Sequence, residues 1–216
     1  YNVSSRFNWK ALMNELYNCN NKLKVRVGGK CVDYKNKNAQ KKMLKLLNYK
    51  SVDAIKPELV IGPAQILSNC WLNSFFMCFF ISDKGRKFFR SFRRTMITGE
   101  KTRRGEMIPV KYRKGLWLLN KAIQASLLFS EKSSQFIQHL DTNDIIRLLR
   151  GSGSGKQKQL VKTREAHNPI DFYNTLFNIL GLNDSGVKTI TISLKQQYNI
   201  LFKRKKNKEF ENKLEK

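Results

Sequence analysis

The stretch from Gln65 to Ile81, QILSNCWLNSFFMCFFI, constrains the fold more than any other part of the chain. Two polar residues, Ser68 and Asn69, precede Cys70, and an almost unbroken apolar run follows: Trp71, Leu72, Phe75 to Ile81. Ser68 or Asn69 suits a helix N-cap, which places Cys70 in the first turn of a helix. That helix is apolar on nearly every face, so it is expected to run through the middle of a domain with Cys78 buried. A thiol in such a first turn meets unpaired N–H groups and the positive end of the helix dipole, and both favour the nucleophilic thiolate. The competing reading of Cys70 is an inert cysteine packed as a small hydrophobe.

The residues around Cys70 favour the first reading through a resemblance. Gln65 stands five residues before the cysteine, Trp71 follows it, and Asn73-Ser74 come next. This text is similar to the cysteine box of the ubiquitin-specific proteases, in which an Asn five residues upstream helps form the oxyanion hole and Tyr-Met-Asn-Ser follows the Cys. The Cys70-Trp71 pair also resembles papain and calpain, which carry a Gln six residues upstream. The spacing here follows the ubiquitin proteases and the residue type follows papain; either carboxamide can donate its NH₂ to a developing oxyanion. A second box, His167 to Leu180 (HNPIDFYNTLFNIL), is similar to the thumb helix of the same family. Asp171-Phe172 take the place of a Glu-Phe pair, and Leu176, Phe177 and Leu180 supply the apolar stripe.

The resemblance implies a mainly α domain of the papain-like, ubiquitin-specific-protease thumb type with a small amount of strand. It implies Cys70 as nucleophile, Gln65 with backbone amides as oxyanion hole and Asn69 as a supporting polar group. The implied substrate is ubiquitin, a ubiquitin-like protein or a viral polyprotein, and no cofactor is involved. The block from Ser68 to Arg94, together with the Lys/Asn-rich composition of the chain, also resembles proteins of large DNA viruses. Thiol catalysis further needs a base within reach of the sulfur. His139 lies inside QFIQHLD and reads as helix surface. His167 stands where the family holds a non-catalytic residue, and the Gly-His-Tyr type box that carries the family's base does not occur in this chain. His167 is therefore the remaining candidate. Asp184 is a weak orienting partner, because the seventeen intervening steps read as one helix. Either the chain is the N-terminal half of a longer protease, or the fold works as a binding module.

Charge supports the second class of function. Among 216 residues, 42 Lys+Arg oppose 16 Asp+Glu, and the net charge of +26 directs such a chain toward nucleic acid, acidic proteins or anionic surfaces. Between Lys84 and Arg104 nine basic residues meet one acid, Glu100. Phe88, Phe92 and Met96 recur every four residues there, which predicts a helix with those side chains in the core. Arg86, Lys87, Arg90, Arg93, Arg94, Arg103 and Arg104 are then left to face a polyanion. A hydrophobic content of 41% with fourteen Phe argues for a folded core, and the longest apolar run is too short to cross a bilayer. Cys19, Cys31, Cys70 and Cys78 form no CxxC pair and only two His are present, which argues against a closed metal site. The same spacing suggests no disulfide framework, and hence a reducing, intracellular compartment, cytoplasmic, nuclear or virion-associated.

Three regions follow from punctuation. Residues 1–56 read as an extension holding a helix near Phe7–Tyr17, a short strand at Lys24–Val27 and a basic helix over Ala39–Leu47. Residues 57–186 form the thumb-like core, with helices over Leu116–Phe129, Ser133–His139 and Asn143–Arg150 and a strong helix start at Asn168-Pro169 stopped by Gly181. Within it, Gly151–Gly155 (GSGSG) has the composition of a flexible linker set in place of a deleted loop. Residues 187–216 hold an alternating strand, Lys188–Leu194, and a basic tail.

Overall fold

The computed structural model describes residues 9–48, 57–101, 105–127, 130–163 and 165–182, all within one unit spanning Tyr1–Ser185. The expected strand at Lys188–Leu194, the basic tail, Asp184, Arg103 and Arg104 lie outside the described residues. The described chain is mainly helical: α1 (Trp9–Tyr17), β1 (Lys24–Val27), β2 (Lys30–Asp33), α2 (Lys37–Leu47), α3 (Cys70–Phe76), α4 (Asp83–Phe88), α5 (Arg90–Thr98), α6 (Val110–Leu127), α7 (Glu131–Gln138), α8 (Asn143–Arg150) and α9 (Pro169–Leu180). The two strands form an antiparallel hairpin with Val27 opposite Lys30. Gly28 and Gly29, both at positive φ, make its two-residue turn.

The helix encased on all sides is α6, not the cysteine helix. Every residue of α6 from Gly115 to Leu127 is buried, including Asn120, Lys121, Gln124 and Ser126. α8 crosses it closely because Gly115 has no side chain: a Cβ there would lie 2.6 Å from the Leu149 Cγ. Lys121 ties the N-terminal residues to this axis. Its Nζ donates to the carbonyls of Lys24 (2.8 Å) and Lys22 (3.2 Å), and it lies 4.7 Å from the Phe136 ring centroid and 5.2 Å from that of Tyr17. Burial pulls the Lys121 ammonium down to about 7.

Three expectations are corrected here. The helix begun at Cys70 is not apolar all round, since Cys70, Ser74 and Cys78 repeat every four residues and form a solvent-facing stripe. Its last turn, Met77–Ile81, widens to π-helical bonding, with the Ser82 N–H reaching the Met77 carbonyl at 3.0 Å. Cys19 and Cys31 form a disulfide, because the hairpin folds Cys31 back on the segment after α1; cysteine usage therefore no longer argues for a reducing compartment. Phe88 does not join Phe92 and Met96 in the core. The helix breaks at Phe89, which turns inward to stack on Phe79, and Phe88 is left 62% exposed. In GSGSG, Gly151, Gly153 and Gly155 all adopt positive φ, and Gln157 after it folds back to donate to the Leu149 carbonyl at 2.8 Å. The alternation supplies glycine where L side chains are strained.

Candidate active site

Asn69 sits at the N-cap position of α3 but does not cap it. Its side chain is 0% exposed and turns back on the preceding loop: Oδ1 accepts from the Ile66 N–H (3.0 Å), and Nδ2 donates to the Thr142 hydroxyl (2.8 Å). The same hydroxyl donates to Asn73 Oδ1 (2.9 Å), and Asn73 Nδ2 donates to the Ala64 carbonyl (3.1 Å). Asn143, on the next helix, donates from Nδ2 to the Ile66 carbonyl (3.2 Å). Thus the backbone is held on both sides of Gln65, whose own side chain stays exposed. A buried polar network of this kind is stable only when its members are satisfied, and a satisfied one fixes geometry. Leu67, between Gln65 and Cys70, is a non-glycine residue at positive φ (41°) and is itself exposed.

Cys70 opens α3 at the rim of this braced loop with its side chain exposed. The second sequence box packs against the first through Trp71. The Trp71 indole N–H donates to the Glu165 carbonyl (2.9 Å), and its ring meets those of His167 (centroids 5.6 Å) and Phe172 (5.0 Å) edge-on. His167 is thereby carried to the residue next to Cys70, although no hydrogen bond joins it to that thiol or to a carboxylate among the described residues. His139 is elsewhere: it ends α7 with Nδ1 2.7 Å from the Gln135 carbonyl oxygen. α9 starts as expected, with Asn168 capping the Ile170 N–H at 2.9 Å and Asp171 in the first turn.

The basic segment divides. Lys87, Arg90 and Arg94 are exposed, but Arg86 and Arg93 are buried and leave the expected polyanion surface. Arg86 turns back to pair with Asp83. Arg93 enters the α5–α6 interface, where Nε donates to Asn120 Oδ1 (3.0 Å) and Nη2 to Gln124 Oε1 (2.7 Å). Burial lowers its guanidinium from the ordinary range, with Tyr17 opposing that shift. No local signal marks this, because Arg93 is one more cation in a basic run and its partners are two amides on a helix assigned by its leucines. The same holds for Thr142 and Asn143, which matter only because folding brings them to the cysteine loop. No group of three or more His, Cys, Asp or Glu capable of holding a metal ion occurs among the described residues. Comparison with protein-family profiles, curated proteins and solved structures returned no match.

Proposed function

We propose that the chain is a thiol-dependent hydrolase of the papain-like, ubiquitin-specific-protease type, or its N-terminal catalytic half, with the cysteine helix and α9 as the thumb. The observation that supports this reading is the clamped loop: an exposed carboxamide, Gln65, projects from backbone pinned at Ala64 and Ile66, five residues before an exposed cysteine at a helix start. An oxyanion donor must be fixed before charge develops, and a pinned loop does this where a mobile one does not. Cys70 attacks the carbonyl carbon of an amide that follows a ubiquitin-type C-terminus. The C–N bond breaks, the amine leaves with a proton, and a thioester forms that water then hydrolyses. In this reading the base is His167, whose ring packs against that of Trp71, the residue after Cys70. Asn69 acts from inside by bracing the loop.

A ubiquitin derivative with a C-terminal electrophile tests the reading. The wild-type chain is expected to form a covalent adduct at Cys70 that Cys70→Ala abolishes. Gln65→Ala should slow it by roughly 10²-fold, the usual effect of losing one oxyanion donor. Alkylation of Cys70 by iodoacetamide without any reaction with the acyl-directed probe would overturn it, since the sulfur would then be reachable but not catalytic.

A further inference from the structure

Two helices far apart in the sequence, α2 and α5, pack side by side, and neither contains an acidic residue. Their inner stripes are apolar apart from Arg93 and Thr95. Their outer faces carry Lys37 and Lys41 from α2 and Arg90 and Arg94 from α5, each pair one helical turn apart and all exposed. Arg90 reaches across the pair, donating to Asn48 Oδ1 at the end of α2 (3.2 Å). No ion pair involves these four side chains among the described residues. Beside them, at the end of α4, Lys87 is exposed and the Phe88 ring stands in solvent, propped edge-on against the buried Phe89 at 4.9 Å.

The geometry points to a binding face for single-stranded nucleic acid, built by α2, α4 and α5, with Phe88 as the ring on which an unpaired base stacks. Rows of cations at helical spacing suit an evenly spaced anionic ladder, and assembling them without acids is unfavourable unless counter-charge arrives. An aromatic ring exposed among those cations offers what a phosphate backbone alone does not use but an unstacked base does. A duplex hides its base faces, and an acidic protein patch has no need of a flat ring. The face is separate from the Cys70 site and does not depend on hydrolase activity.

Fluorescence anisotropy of the full chain with labelled oligothymidylate, its duplex with oligoadenylate, and poly-glutamate tests this. Single-strand affinity should exceed duplex affinity, and Phe88→Ala should weaken it about tenfold while leaving duplex binding unchanged. The pair Lys41→Ala with Arg94→Ala should make the slope of log K against log salt shallower by about 1.4. Cys70→Ala should bind as wild type. Since Phe88 is exposed, its variant is expected to melt at the wild-type temperature, and the Lys41/Arg94 pair supplies a second reading if it does not. Equal binding by Phe88→Ala and wild type, a duplex preference, poly-glutamate binding as tightly as oligothymidylate, or an unchanged salt slope would each overturn the assignment.

Discussion

Thr142 has no reactive group of interest, yet its hydroxyl is the joint between the cysteine loop and α8: it accepts from Asn69 and donates to Asn73, using both capacities. Thr142→Val keeps the shape but leaves the half-buried Asn73 Oδ1 without this donor and the buried Asn69 Nδ2 with only the long contact to the Ala64 carbonyl (3.5 Å). The expected loss is about 2–3 kcal/mol in urea unfolding, and Thr142→Ser should restore most of it. Lys121 makes the opposite kind of demand. Its pKa is about 7 folded and 10.5 unfolded, so between these values the unfolded chain binds more protons and stability rises with pH. The slope approaches about 1.4 kcal/mol per pH unit. The useful window is pH 7 to 9, below the range in which the buried tyrosines, raised by burial, would reverse the trend. Lys121→Met should flatten that rise in urea midpoint, and an unchanged slope would mean the ammonium is hydrated in solution.

At the scale of elements, two contacts carry testable consequences. Replacing Gly115 by Ala would ordinarily stabilise a helix by about 1 kcal/mol. Here the added methyl meets Leu149, which is itself fully buried, and overpacking costs about 1–3 kcal/mol. Overpacking wins, so Gly115→Ala should lower the thermal midpoint, whereas an increase would show that α8 can slide. The second contact is covalent. The Cys19–Cys31 bond closes a loop with a sequence separation of 12, and a loop of this size contributes about 3 kcal/mol in the chain-entropy account. Cys31→Ser should lose that amount in denaturant unfolding, and dithiothreitol should then have no further effect on a Cys70→Ala, Cys78→Ala background.

The whole molecule carries +26, and much of that charge has no acid to meet it. Self-repulsion at low ionic strength destabilises a compact state, and salt screens it within about 10 Å at 0.1 M. Raising NaCl from roughly 50 to 300 mM is therefore expected to raise the melting temperature by a few degrees, as read by circular dichroism. The same change weakens any polyanion complex. A melting temperature that falls with salt would mean that ion pairs such as Lys42–Glu15 and Lys22–Asp144 outweigh the repulsion.

Helix existence was legible wherever local signals agreed. Asn168-Pro169 before an apolar stripe and Gly181 after it defined α9, Val25 and Val27 before two glycines defined β1, and the polar-to-apolar change at Cys70 placed that residue in a first turn. These are near-neighbour effects, set by caps, periodicity and turn chemistry within a few residues. The sequence could not say which helix the others surround. α6 reads as amphipathic, and its Asn120, Lys121 and Gln124 are buried only because Arg93 and the N-terminal residues arrive to bond them. Nor could it say that Phe88 faces out and Phe89 in, which depends on a helix break fixed by packing against Phe79. Local chemistry set where the elements start and stop; which polar groups are enclosed, and so which cations and rings reach solvent, was decided by contacts between residues tens of positions apart.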